Sequence, residues 1–317
     1  MQRILITGGA GFIGSHLSET LLDAGNEVVV LDNFNDYYSP QIKRRNTAPL
    51  LSKKSYTLIE GDILNTELLD QIFEKSRIQV VVHLAARAGV RFSIKEPLLY
   101  QKVNVEGTTN LLDHARKYKV GKFIFGSSSS VYGENEKVPF SEADPVDHPI
   151  SPYAATKKAG ELICYTYHHL YQLPITCLRF FTVYGPRQRP DMAIHKFTHN
   201  IYHGEKITMF GDGSSRRDYT FISDIIDGIT KSIVHCRAYH IYNLGESKTI
   251  ELRDLINLIA HHLGKKPLID VLSNQPGDVT VTYADISKAK EEIGYDPRVG
   301  VDEGIQQFVK WFVETAR

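Results

Sequence analysis

The sequence predicts an α/β fold, a doubly wound parallel sheet with a smaller carboxy-terminal α/β lobe. Three observations predict it. Short apolar runs alternate with longer amphipathic stretches from the first residue onward. The runs are continuously rather than alternately hydrophobic, as strands covered on both faces are. At 317 residues the chain also exceeds the usual size of a single core, so one large domain and one smaller one are expected.

Taken in order, Arg3–Thr7, Glu27–Leu31, Tyr56–Ile59, Val80–His83, Lys122–Phe125 and Ile175–Leu178 read as buried strands. Between them Phe12–Ala24, Leu68–Lys75, Leu98–Tyr118 and Tyr153–Tyr171 carry helical spacing. After Phe180 the pattern loosens. Tyr184–Asp191, rich in Pro, Arg and Gly, reads as a loop. A helix (Ile194–Tyr202), short strands and two further helices (Leu252–His262 and Val301–Val313) follow. The expected division is residues 1–179 for the sheet domain and 180–317 mainly for the lobe, some of whose segments return to the first domain.

Lysine plus arginine (37) equals aspartate plus glutamate (37), so no basic field exists to attract nucleic acid or an anionic membrane. Cys164, Cys177 and Cys236 lack CxxC spacing and lie in apolar periodic segments, which suits buried thiols in a reducing cytoplasm. The amino terminus lacks the pattern of a signal peptide, and no apolar run approaches bilayer-spanning length. A cytoplasmic protein is expected. His168-His169 and His261-His262 are adjacent pairs rather than one helical turn apart, so no metal is expected.

The segment Ile4-Leu5-Ile6-Thr7-Gly8-Gly9-Ala10-Gly11-Phe12-Ile13-Gly14 is a strand entering a glycine-rich turn and then a helix. Gly8, Gly11 and Gly14 give GxxGxxG: Gly8 for the tight turn, Gly11 for backbone approach to a pyrophosphate, Gly14 for helix packing against the strand. Phe12 and Ile13 begin the helix, whose free N–H groups and positive dipole end face the phosphates. The next strand ends in Asp32, followed by Asn33. A carboxylate there accepts from both ribose hydroxyls and repels a 2′-phosphate, which favours NAD over NADP on a Rossmann sheet. Asp62 and Ile63 follow the third strand, within reach of adenine, and Leu84, Ala85 and Ala86 follow the fourth. Lys43-Arg44-Arg45 and Lys53-Lys54 read as solvated charge. Phe34, Tyr37 and Tyr38 read as loop packing or as a wall beside the cofactor.

Tyr153-Ala154-Ala155-Thr156-Lys157 is YxxxK at a helix start, so phenol and ammonium share one helical face. Ionising a tyrosine at pH 7 costs about 4 kcal/mol. A cation about 4 Å away returns roughly that amount at an effective dielectric of 20, so one lysine is expected to suffice. Phe125-Gly126-Ser127-Ser128-Ser129-Ser130-Val131-Tyr132-Gly133 sets a row of hydroxyls at a strand end, where parallel sheets place their ligands. A serine there can bond the reacting oxygen and relay its proton to Tyr153.

With these elements in order, nearly the whole chain resembles the extended short-chain dehydrogenase/reductase family. The resemblance implies Ser128, Tyr153 and Lys157 as catalytic residues, places Asn104 at the cofactor site with Tyr153 and Lys157, and implies NAD use and a homodimer formed by two helices. Arg216-Arg217-Asp218-Tyr219 and Gln275-Pro276-Gly277-Asp278-Val279 resemble the family's nucleotide-sugar branch, which implies Arg217 on a diphosphate and the loop of Asp278 over the nucleotide. A guanidinium fork suits a diphosphate.

Three further stretches resemble the UDP-glucuronate 4-epimerases: Leu31 to Tyr38, Ala86 to Arg91, and Arg179 to Ala193. By that resemblance Val90, Arg91, Ser128, Ser129, Thr182 and Arg189 contact the UDP-sugar, with Thr182 and Arg189 at the sugar carboxylate. The implied reaction is 4-epimerisation of UDP-glucuronate through a 4-keto sugar. That intermediate is a β-keto acid prone to lose CO₂, so the carboxylate has to be held out of alignment. The rival readings are a UDP-glucose or UDP-N-acetylhexosamine 4-epimerase, a UDP-glucuronate decarboxylase, and an NAD-sensing module without chemistry.

Overall fold

The computed structural model of the chain describes residues 1–273 and 281–315. Strands β1 (Arg3–Thr7), β2 (Glu27–Asp32), β3 (Tyr56–Glu60), β4 (Val80–His83), β5 (Lys122–Ser128) and β6 (Ile175–Phe180) pair in parallel. Each covers a predicted strand, and β2 and β5 run further at their carboxyl ends, which carries Asp32 and Ser128 into the sheet. Side chains alternate between two cores. Ile4, Ile6, Val28 and Val30 enter one, and Leu5, Val29, Val81 and Phe123 enter the other. Both faces are therefore apolar, which is why these strands read as unbroken hydrophobic runs.

The connecting helices are α1 (Phe12–Asp23), α2 (Pro40–Thr47), α3 (Thr66–Ser76), α4 (Val90–Lys95), α5 (Pro97–Gln101), α6 (Gly107–Lys117) and α7 (Pro152–Tyr171). The helix predicted over Leu98–Tyr118 is not uniform. A π-helical turn at Lys102–Glu106 separates α5 from α6, and such turns gather at functional sites. Helix α7 is started by Ser151, whose side chain accepts from the Ala154 amide at 3.1 Å, with Pro152 at its first position.

Beyond Phe180 lie β7 (Thr182–Tyr184), α8 (Ala193–His203), β8 (Lys206–Phe210), β9 (Arg216–Arg217), β10 (Tyr219–Phe221) and α9 (Ile222–His235). Then come β11 (Tyr239–Leu244), β12 (Ile250–Glu251), α10 (Leu252–Leu263), β13 (Leu268–Leu272), α11 (Ser287–Ile293) and α12 (Val301–Thr315). Strand β11 pairs with β6 and completes a seven-stranded sheet of order β11-β6-β5-β4-β1-β2-β3. The remaining strands form the pairs β10-β7, β12-β9 and β13-β8. Helix α9, absent from the sequence reading, buries Ile222, Ile225, Ile226, Ile229 and Ile233. Cys164, Cys177 and Cys236 are buried free thiols. Among the described residues no helix is long and apolar enough to cross a membrane.

Candidate active site

The order of the sheet reverses between β1 and β4, and a parallel sheet opens a crevice at the carboxyl ends of such neighbours. A cleft of about 610 Å³ lies there. Gly8 has φ +72°, and a Cβ on it would meet the Ala85 amide nitrogen at 2.7 Å. A Cβ on Gly14 would sit 2.5 Å from the Gly8 carbonyl oxygen, so only glycine lets α1 begin against the turn. Gly11 precedes α1 and no side chain caps the helix, so its first amides keep their donors at the cleft. Gly8, Gly11, Phe12, Ile13 and Gly14 all line it. This cradle fits a dinucleotide diphosphate.

At the far end Asp32 is 6% exposed. It accepts from the Ala10 amide (3.2 Å) and the Phe34 amide (2.9 Å). The Lys43 ammonium lies 3.4 Å away and is equally buried. Lys43 therefore corrects the reading of its run as solvated charge, and Asp32 is a compensated carboxylate rather than a bare one. Asn33 donates to Asp62 at 2.8 Å, and Ile63, Leu84, Ala85 and Ala86 complete the wall. Tyr37 and Tyr38 also line the cleft. Asn104, assigned to the cofactor from sequence, is not a lining residue. Its side chain accepts from the Arg87 amide (2.8 Å) and donates to the Arg87 carbonyl (2.9 Å) and to Thr156 (3.0 Å). The π turn carries it behind the wall, where it pins the loop after β4 to α7.

Ser128 ends β5, and Tyr153 and Lys157 lie one turn apart on α7; all three line the cleft. The helix comes close because Gly160 faces Phe125, where a Cβ would meet the ring at 2.4 Å. Burial pushes the Tyr153 phenol above its ordinary range, while hydrogen bonding from Ser128 and the charge of Arg189 pull it back down. The Lys157 ammonium instead donates to the Gly126 carbonyl at 2.6 Å. The expectation that one lysine suffices is therefore corrected: Ser128 and Arg189, not Lys157, are the groups that lower the phenol, and it still stays above its ordinary range.

Burial lowers Lys157 from its ordinary 10.5 to about 8, against smaller opposing influences from Cys164 and Glu161. A lysine whose folded value is depressed costs stability below that value, and the cost fades as pH rises toward the unfolded value. The difference amounts to roughly 3 kcal/mol. Urea unfolding of wild type and Lys157→Met at pH 7 and pH 10.5 should show the stability difference moving toward wild type by about that amount. A pH-independent difference would contradict it.

Val90, Ser129, Thr182 and Arg189 line the same cleft as Tyr153. Arg91 and Arg217 are not among its lining residues: the Arg91 guanidinium lies 4.9 Å from the Phe210 ring centre, and Arg217 Nη1 donates to the Arg216 carbonyl at 2.9 Å. Asp278 lies outside the described residues.

A parallel sheet with a glycine turn at its switch point, facing a Ser/Tyr/Lys set, defines a dinucleotide-binding protein of the short-chain dehydrogenase/reductase type. Residues 5–308 match the GDP-mannose 4,6 dehydratase family, and the chain belongs to that family. It is 43% identical over 315 residues to the UDP-glucuronate 4-epimerase of Thermodesulfobacterium geofontis, covering 99% of this chain and 97% of that protein. The crystal structure of UDP-glucuronic acid 4-epimerase from Bacillus cereus, in complex with UDP-glucuronic acid and NAD, aligns with a TM-score of 0.93 at 37% identity over 99% of both chains. UDP-glucose 4-epimerase from Thermotoga maritima, with UDP-glucose, aligns at 0.89 and 34%, covering 99% of this chain and 100% of that one.

Proposed function

We propose that the chain is an NAD-dependent UDP-sugar 4-epimerase interconverting UDP-glucuronate and UDP-galacturonate. The observation that carries the substrate choice is the placement of Thr182 and Arg189 in the same cleft as Ser128, Tyr153 and Lys157. A hydroxyl and a guanidinium are the groups a uronate carboxylate calls for. The likeness to UDP-glucuronate 4-epimerases along nearly the full chain supports the same reading.

In this mechanism Tyr153 takes the proton of the sugar 4-hydroxyl while Ser128 holds the oxygen. NAD, which the Gly8–Gly14 turn and Asp32 would hold, would supply reversible hydride chemistry at C4, and the cleft would let the 4-keto sugar present its other face. Thr182 and Arg189 hold the carboxylate away from alignment with the C4 carbonyl, which retards loss of CO₂. Lys157, held on the Gly126 carbonyl, fixes the cation beneath the site. The loop of Asp278 and the side chain of Arg217 are assigned to the nucleotide on family resemblance alone.

We assign the expected two-helix dimer interface to a face that includes α7. The outer face of α7 exposes Leu162, Tyr165 and Leu170 at 56%, 51% and 60%. Buried free thiols fit a cytoplasmic setting.

The test is incubation of purified protein, without added NAD, with UDP-glucuronate and UDP-glucose separately, followed by chromatography. UDP-galacturonate is the expected product. UDP-galactose alone would assign a neutral-sugar epimerase, a UDP-pentose with CO₂ a decarboxylase, and no product a sensing module.

A further inference from the structure

Arg189 is held by a neighbour. Asp191 accepts from its Nε on Oδ1 and from its Nη2 on Oδ2, both at 2.9 Å, with side chains 22% and 29% exposed. The pair lies in a tight turn just before α8, closed by the Met192 amide donating to the Arg189 carbonyl at 3.2 Å. The guanidinium also lies 5.4 Å from the centre of the Tyr37 ring. Arg189 and Tyr37 line the cleft, whereas Asp191 is not a lining residue.

A guanidinium has five N–H donors in a rigid plane. Asp191 engages one on Nε and one on Nη2. The Nη1–Nη2 edge is a second fork, with the spacing to meet another carboxylate bidentately. With one edge clamped and the Tyr37 ring centre 5.4 Å from the guanidinium carbon, the remaining edge has a fixed direction. We propose that Asp191 is a positioning residue for carboxylate recognition, clamping Arg189 so that its Nη1–Nη2 edge meets the uronate. The proposal rests on the glucuronate reading above. Burial pushes the Asp191 carboxyl up, but the hydrogen bonds and charge of Arg189 outweigh it and hold the carboxyl below its ordinary range, so the pair stays ionised.

Clamp and guanidinium together carry no net charge. The site therefore directs the carboxylate more than it attracts it, and losing Asp191 harms orientation before affinity. In Asp191→Ala, kcat on UDP-glucuronate should fall roughly tenfold or more, as misplacement of a substrate does. KM should change little, and the fraction of product appearing as UDP-pentose should rise. Asp191→Asn, which keeps one acceptor and the side-chain shape, should lie between. A residue that merely stabilised the turn would move neither the split between kcat and KM nor the product ratio.

Arg189→Ala, assayed in parallel, separates the two claims. If Arg189→Ala loses uronate turnover while Asp191→Ala and Asp191→Asn keep wild-type kcat and product ratio, the positioning role is overturned and the glucuronate reading stands. If wild type turns over no UDP-glucuronate, or Arg189→Ala is unaffected, the reading beneath the proposal falls and the proposal with it.

Discussion

Replacing Tyr153 by phenylalanine should lower kcat by roughly 10²–10⁴-fold, the range general acid–base groups supply, while leaving KM and the bound NAD content near wild type. The substitution removes one oxygen and keeps the ring, which packs edge-on against Tyr100 at a centroid separation of 6.2 Å. The oxygen is the point on which the site's influences converge: burial raises it, and Ser128 and Arg189 lower it. Tyr100, whose ring packs against that of Tyr153, has its own hydroxyl engaged on the Ala88 carbonyl at 2.6 Å. Steady-state kinetics on UDP-glucuronate, with NAD quantified after denaturation, reads both quantities. Full activity in Tyr153→Phe would remove the phenol from the acid–base role.

Glu161→Gln is expected to cost about 3–5 kcal/mol of stability, the penalty for breaking one partner out of a buried ion pair. Glu161 and Arg179 are each 1% exposed. Arg179 donates from Nε to Oε1 and from Nη2 to Oε2, both at 2.9 Å. Burial alone would lower Arg179, yet the hydrogen bonds and charge of Glu161 more than reverse it. The network continues from Arg179 Nη1 to the Tyr132 hydroxyl (3.0 Å) and from there to Asn243 (2.7 Å), tying β6 to β11. Ser127, next to the candidate catalytic Ser128, donates to Glu161 at 2.7 Å. An amide at this position leaves a guanidinium buried without its counter-charge under the floor of the cleft. Urea unfolding at pH 7 measures the loss, and a change below about 1 kcal/mol would show that the pair is replaceable. The apolar pair Glu161→Leu with Arg179→Met should recover much of the stability, since well-packed hydrophobic replacements of buried ion pairs often do.

The parts of the molecule that are legible in the sequence are those whose signal is local. The strands declare themselves because both faces of the sheet are buried, so apolar residues follow one another without a break. GxxGxxG and YxxxK are legible because turn geometry and helical period fix which residues meet. Lys43 is not, because the buried face of α2 is Lys43, Asn46 and Thr47, a polar face that hydropathy assigns to solvent. The bonds of Asn104 to Arg87 and Thr156 are not legible, because a π-helical turn breaks the regular period at that residue. The Arg189–Asp191 clamp depends on how one loop folds back, which residue spacing does not encode. Helix α9 is a different case, since its isoleucines recur at helical intervals and its signal is local too.

The direct test of the hydride mechanism is the fate of the hydrogen on C4. UDP-glucuronate carrying deuterium at C4 should yield UDP-galacturonate that keeps the label at C4 when turned over in ordinary water. Appearance of solvent hydrogen at C4 would mean that the carbon is inverted by proton exchange, and would contradict the account.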